Sequence, residues 1–79
     1  MEFYDALYSI AREQGISVEA LSLKIGRVSS FITSSKSRGS KPKVDTAARM
    51  VDGCDYVLCA IPSKKVPKCA VVIDGTVVE

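Results

Sequence analysis

Between Ala20 and Val44 the chain carries six cations, Lys24, Arg27, Lys36, Arg38, Lys41 and Lys43, and no acid. Short hydroxyls run through the same stretch, and Ser29, Ser30, Thr33 and Ser34 fall at spacings that put them together on one side of a helix. Such side chains neither make nor break bonds. Hydroxyls donate to and accept from base edges and phosphate oxygens, and clustered cations draw a polyanion through their local field. That local excess means more than the formal net charge of +2. A solvated basic loop beside a polar helix that holds no ligand is the plain alternative; the adjacency of the two features favours nucleic acid.

Other reactive groups are sparse. The chain has no histidine, its acids are scattered, and no glycine-rich phosphate loop or nucleophile motif occurs, so no enzyme is expected. Cys54, Cys59 and Cys69 form no C-x-x-C pair and lack the further ligands that zinc requires, so neither metal nor cofactor is expected. They read instead as reduced thiols packed in a core. The longest apolar run falls far short of the ~20 residues of a membrane span, and no export signal is recognisable. With an odd cysteine count, the expected location is the cytoplasm. At 79 residues the chain is one domain with a marginal core that a partner subunit would help.

Helices must position the reading residues. Phe3, Ala6, Leu7, Ile10 and Ala11 follow the i, i+3, i+4, i+7, i+8 series of one helical face, predicting a first helix over 2–14. Tyr4 and Tyr8 lie on its flank and are expected at the edge of the core. Gly15 ends that helix, and Ser17 caps a second over 18–25 with Val18, Leu21 and Ile25 apolar. Ala20 and Ser22 are small enough for another helix to approach closely. Gly26 then supplies a tight turn. A third helix over 28–35 packs Phe31 and Ile32 inward and leaves Ser29, Ser30, Thr33 and Ser34 outward. Residues 36–43, KSRGSKPK, read as a loop that presents Lys36, Arg38, Lys41 and Lys43 to phosphates. Val44, Ala47, Ala48 and Val51 predict a fourth helix over 44–52, ended by Gly53.

Beyond Gly53 the pattern changes. The apolar runs 56–61 and 69–73, bounded by proline and glycine, read as strands, and Asp74-Gly75 is a type I′ hairpin signal with room for a short third strand. Both faces of these strands are apolar, and one would remain uncovered, so a second subunit is expected there through Tyr56, Leu58, Val71 and Ile73. The expected fold class is mostly α with a small C-terminal β-hairpin. It comprises a four- or five-helix bundle containing a helix-turn-helix over 1–55 and a dimerising hairpin extension over 56–79.

The run GRVSSFITSSKSRGSKPKVDTAARMVDGCDY resembles the Cro and lambda-repressor type of helix-turn-helix domain found in phage and mobile-element regulators. The likeness rests on Gly26 through Thr33, the S-R-G-S-x-P run from Ser37 to Pro42, and the D-T-x-x-R-M run from Asp45 to Met50, and it spans residues 1–56. It implies a DNA-binding domain that regulates a promoter as a homodimer, with two recognition helices on half-sites one helical turn apart. The family's base-reading positions fall on Val28, Ser29, Ser30, Thr33 and Ser34. Its phosphate-holding positions fall near Ser17, Arg27, Arg38, Ser40 and Lys41. Val28 stands where the family commonly has Ser or Thr, so Ser29 is expected to cap the third helix. Ser29 and Ser30 replace the Arg, Gln or Asn that many members use to read bases. The leading expectation is therefore a repressor-like regulator bound to double-stranded DNA. The alternative is a protein-binding module on the same scaffold that inhibits a host or phage protein.

Overall fold

The apolar periodicities of the first 52 residues fold as four helices in a computed structural model that describes residues 2–73. They are α1 (Phe3–Glu13), α2 (Val18–Lys24), α3 (Phe31–Ser37) and α4 (Val44–Asp52). α1 packs against α2 and α4, and α2 packs against α3. The core between them is Phe3, Leu7, Ile10 and Ala11 from α1, Leu21, Ile32, then Ala47, Met50 and Val51 from α4, closed by Cys54. Tyr4 is buried too, its ring edge-on to Phe3 at 5.4 Å between centroids. Met50, outside the expected apolar set of α4, is fully buried, whereas Val44 is 37% exposed.

All four helices end on one hydrogen-bond pattern. After α2, the Gly26 amide donates to the Leu23 carbonyl at 3.0 Å and the Arg27 amide reaches back to Ser22 at 2.9 Å. This paired closure requires a left-handed residue, and Gly26 has φ +82°. The same two bonds close α1 at Gly15 and Ile16, and α3 at Gly39 and Ser40. At α4 the left-handed position belongs to Asp55, φ +61°, with the Tyr56 amide donating to Val51 at 2.9 Å. Gly53 has right-handed backbone and serves close packing instead. A Cβ there would stand 2.6 Å from Leu21 Cδ1, so its missing side chain leaves room for the buried Leu21 beside the end of α4.

The expected C-terminal β-hairpin is not formed. Among the described residues there is no strand or sheet, and after α4 only a 3₁₀ turn, Ser63–Lys65, is regular. The hairpin turn at Asp74-Gly75 and the third strand lie outside the described residues. The two-residue alternation nonetheless operates. Tyr56, Leu58, Val71 and Ile73 pack on the helical core, while Val57 and Val72 face outward, 82% and 58% exposed. Two strands alone are marginal, and each run is flanked by a proline whose carbonyl captures a local amide, Pro62 from Lys65 and Pro67 from Ala70. The bundle offers the inward side chains more burial than a two-stranded ladder would.

The cysteines divide likewise. Cys54 is buried, as expected, but Cys59 and Cys69 are exposed on the C-terminal segment. Burial pushes the Cys54 thiol above its ordinary range, against a partial pull from Lys24. A thiol reagent at mildly alkaline pH is expected to titrate two of the three cysteines in the native protein and the third only after denaturation. In urea unfolding followed by circular dichroism, Gly53→Ala is expected to cost about 1–3 kcal/mol by overpacking Leu21. Asp55→Gly is expected to add up to about 1 kcal/mol by relieving left-handed backbone.

Candidate nucleic-acid interface

The interface is built from the joint between α2 and α3. Ser17 caps α2 by accepting a hydrogen bond from the Ala20 amide at 3.1 Å. One turn on, the fully buried Ser22 donates its hydroxyl to the Val18 carbonyl at 2.8 Å and accepts from the Ile32 amide at 3.3 Å. Ile32 is the second residue of α3, so this bond satisfies one of the amides that a helix start leaves free. Ser30, at the N-cap of α3, makes no side-chain cap, and neither does Ser29. Ser22 was legible only as a small residue. The signal for more was its place one position after Leu21 and four after Val18, a hydroxyl on a buried stripe.

The connection between these helices is longer than the expected turn. α3 begins at Phe31, not at 28, because the Phe31 amide closes a turn onto the Val28 carbonyl at 3.0 Å. Val28, Ser29 and Ser30 therefore sit in an exposed corner ahead of α3 instead of on its first turn. Along α3 itself Thr33 and Ser37 are exposed, Ser34 is half-buried, and Ile32 and Ser35 are buried. The hydroxyl face expected of the helix is thus divided between corner and helix.

The cations are also divided. Lys24 donates from Nζ to the Gly53 carbonyl at 2.9 Å, where the C-terminal end of α4 favours positive charge. Lys36 turns back to α1, 3.2 Å from Asp5 and with its ammonium 5.4 Å from the centre of the Tyr8 ring. Arg27 lies over Phe31 at 5.0 Å. Arg38, Lys41 and Lys43 are exposed and make no ion pair among the described residues. They stand on the loop after α3, which Pro42 anchors by burial. Ser40 donates its amide to Ser35 in the closure of α3 and keeps an exposed side chain. Arg27, over the first residue of α3, and this loop, after its last, stand at opposite ends of the helix.

The four residues expected to meet a second subunit, Tyr56, Leu58, Val71 and Ile73, lie against the chain's own bundle. They line an apolar hollow of about 610 Å³ together with Ile10 and Val51. Among the described residues no helix is long and apolar enough to cross a membrane. Comparison of the chain with protein-family models, curated proteins and solved structures finds no match.

Ser22→Ala is expected to destabilise the fold by about 1–3 kcal/mol, because the buried Ile32 amide loses its acceptor. Amide hydrogen exchange provides the check, with Ile32 accelerated well beyond the rest of α3.

Proposed function

We propose that this protein binds double-stranded DNA, as a repressor-like transcriptional regulator of the Cro and lambda-repressor type acting in the cytoplasm as a homodimer. The observation that carries the reading is the run of exposed cations and hydroxyls, without an acid in the sequence between Arg27 and Lys43, that passes from Arg27 through the corner 28–30 and the outer side of α3 to Arg38, Lys41 and Lys43, with Asp5 of α1 beside it at Lys36. In this reading the corner and the start of α3 enter the major groove, with Val28, Ser29, Ser30 and Thr33 towards base edges. Arg27, Arg38, Lys41, Lys43 and the Ser40 hydroxyl hold phosphates on either side. Lys24 and Lys36 stay with the fold, and the Ser17 hydroxyl is occupied at the start of α2. Val57, Ile61, Val66 and Val72, exposed apolar side chains that line the same hollow as Tyr56 and Leu58, are the row left for a second subunit to cover.

The same row, with Leu23 at 62% exposure on α2, favours the second reading, a module that binds another protein. A stoichiometric protein captured from host lysate in the presence of nuclease, with no affinity for duplex DNA, decides for that reading.

Gel shifts over graded salt test the first reading. Four cations on phosphates per subunit, eight in the dimer, give a slope of log affinity on log salt of about −7.2, at about −0.9 each. Arg38→Ala, which removes one contact from each subunit, is expected to reduce the magnitude of the slope by about 1.8 with the helical content unchanged. Lys24→Ala is expected to reduce stability and leave the slope alone. Absence of binding to any duplex at low salt refutes the proposal.

A further inference from the structure

We infer that this surface selects the C5-methyl group of a pyrimidine, thymine in unmodified DNA, and that Val28 is the residue that sets the preference; this rests on the DNA reading above. Each base edge in the major groove is distinguished by particular side chains. Bidentate Arg or Lys reads guanine, Asn or Gln reads adenine, an acid reads cytosine, and an apolar group reads the thymine methyl, whereas Ser and Thr hydroxyls accept either partner. The exposed corner and outer side of α3 offer Arg27, Val28, Ser29, Ser30, Thr33 and Ser37, with no Asn, Gln, Asp or Glu among them. Lys36 is drawn to Asp5 and Tyr8, and Arg27, stacked on the Phe31 ring, is the group assigned above to a phosphate. The groups that remain able to tell one base from another are apolar: the two methyls of Val28 and the single methyl of Thr33.

Val28 suits methyl recognition by exposure and by fixity. Its side chain is 69% exposed, an apolar group left in water just ahead of the helix. The backbone on both sides is pinned, by the Arg27 amide on the Ser22 carbonyl at 2.9 Å and by the Phe31 amide on the Val28 carbonyl at 3.0 Å. A branched side chain on fixed backbone has little freedom left to lose on binding. Burying it against a C5-methyl removes apolar surface of both from water, and the neighbouring serines are too short to hold the corner away from the groove.

The test starts from duplexes that the full chain selects out of a random pool. Each thymine of the selected site is then replaced by deoxyuridine, which deletes the methyl and nothing else. The expected result is a loss of about fourfold at one or more positions in each half-site, the equivalent of ~0.8 kcal/mol at ~1.4 kcal/mol per tenfold. Val28→Ala, whose exposed side chain leaves the core untouched, keeps only a short methyl at this position and is expected to lose clearly less than the parent when thymine is replaced by uracil. Replacing a sensitive T·A pair by 5-methylcytosine·G separates the sources of the methyl: recovery relative to C·G marks methyl recognition on either pyrimidine, and no recovery marks thymine alone. The inference is overturned while the DNA reading stands if selected sites lack thymine, if uracil leaves affinity unchanged throughout, or if Val28→Ala loses the same factor as the parent. A chain with native circular dichroism that binds no duplex overturns both.

Discussion

A helix that begins inside a small protein leaves amides that its own carbonyls cannot reach, and in α3 the hydroxyl of Ser22 takes one of them. This bond does more than satisfy a donor. Ser22 is fully buried, its proton is committed to Val18, and its lone pair faces Ile32, so the angle between α2 and α3 is held by one oxygen with both capacities in use. Everything outside the joint inherits that geometry. Arg27 is fixed by its amide on Ser22, Val28 by the turn to Phe31, and Ile32 enters the core directly behind the bond. The corner 28–30 is therefore exposed without being loose.

The helix ends supply the second layer of definition. Four short helices make an unusually large share of this chain's backbone terminal, and each terminus must satisfy its carbonyls locally. One pattern does so four times, with glycine at three ends and Asp55 at the fourth. The pattern also sets the direction in which the chain leaves each helix. It turns Ile16 towards the core after α1, launches Arg27 after α2, and sets Tyr56 onto the bundle after α4. Gly53, beside the last of these, serves packing: a Cβ there would crowd Leu21 Cδ1 and force it to shift.

Charge is distributed by the same constraints. The positive stretch is uniform in the sequence, yet folding gives two of its lysines partners at the surface, Lys24 at the end of α4 and Lys36 on α1, and lays Arg27 on an aromatic ring. The cations that stay exposed without an ion pair among the described residues are concentrated on the loop after α3. The exposed residues between Arg27 and Lys43 are rich in hydroxyls, contain no acid, and are apolar at Val28. These properties suit close approach to a nucleic-acid groove with the phosphates held from the flanks.

The four helices, the left-handed turns at Gly15 and Gly26 and the cap at Ser17 were legible in the sequence because each depends on neighbours within a few residues: periodicity, a missing Cβ, a hydroxyl ahead of free amides. The exposed hydroxyls and cations were legible as types, whereas runs apolar on both faces gave no sign that Tyr56, Leu58, Val71 and Ile73 would turn onto the chain's own core. Only the tertiary structure decided where those side chains went. The hairpin gave way because its inward residues find more apolar surface on α1 and α4 than on each other. Cys59 and Cys69 were left outside with it. Lys36 left the loop set because Asp5, distant in sequence, lies beside it, and Ser22 became the keystone because Ile32 arrives above it. Local chemistry determines how each segment folds; which groups remain free to meet a ligand depends on contacts between segments, which no single stretch of sequence contains.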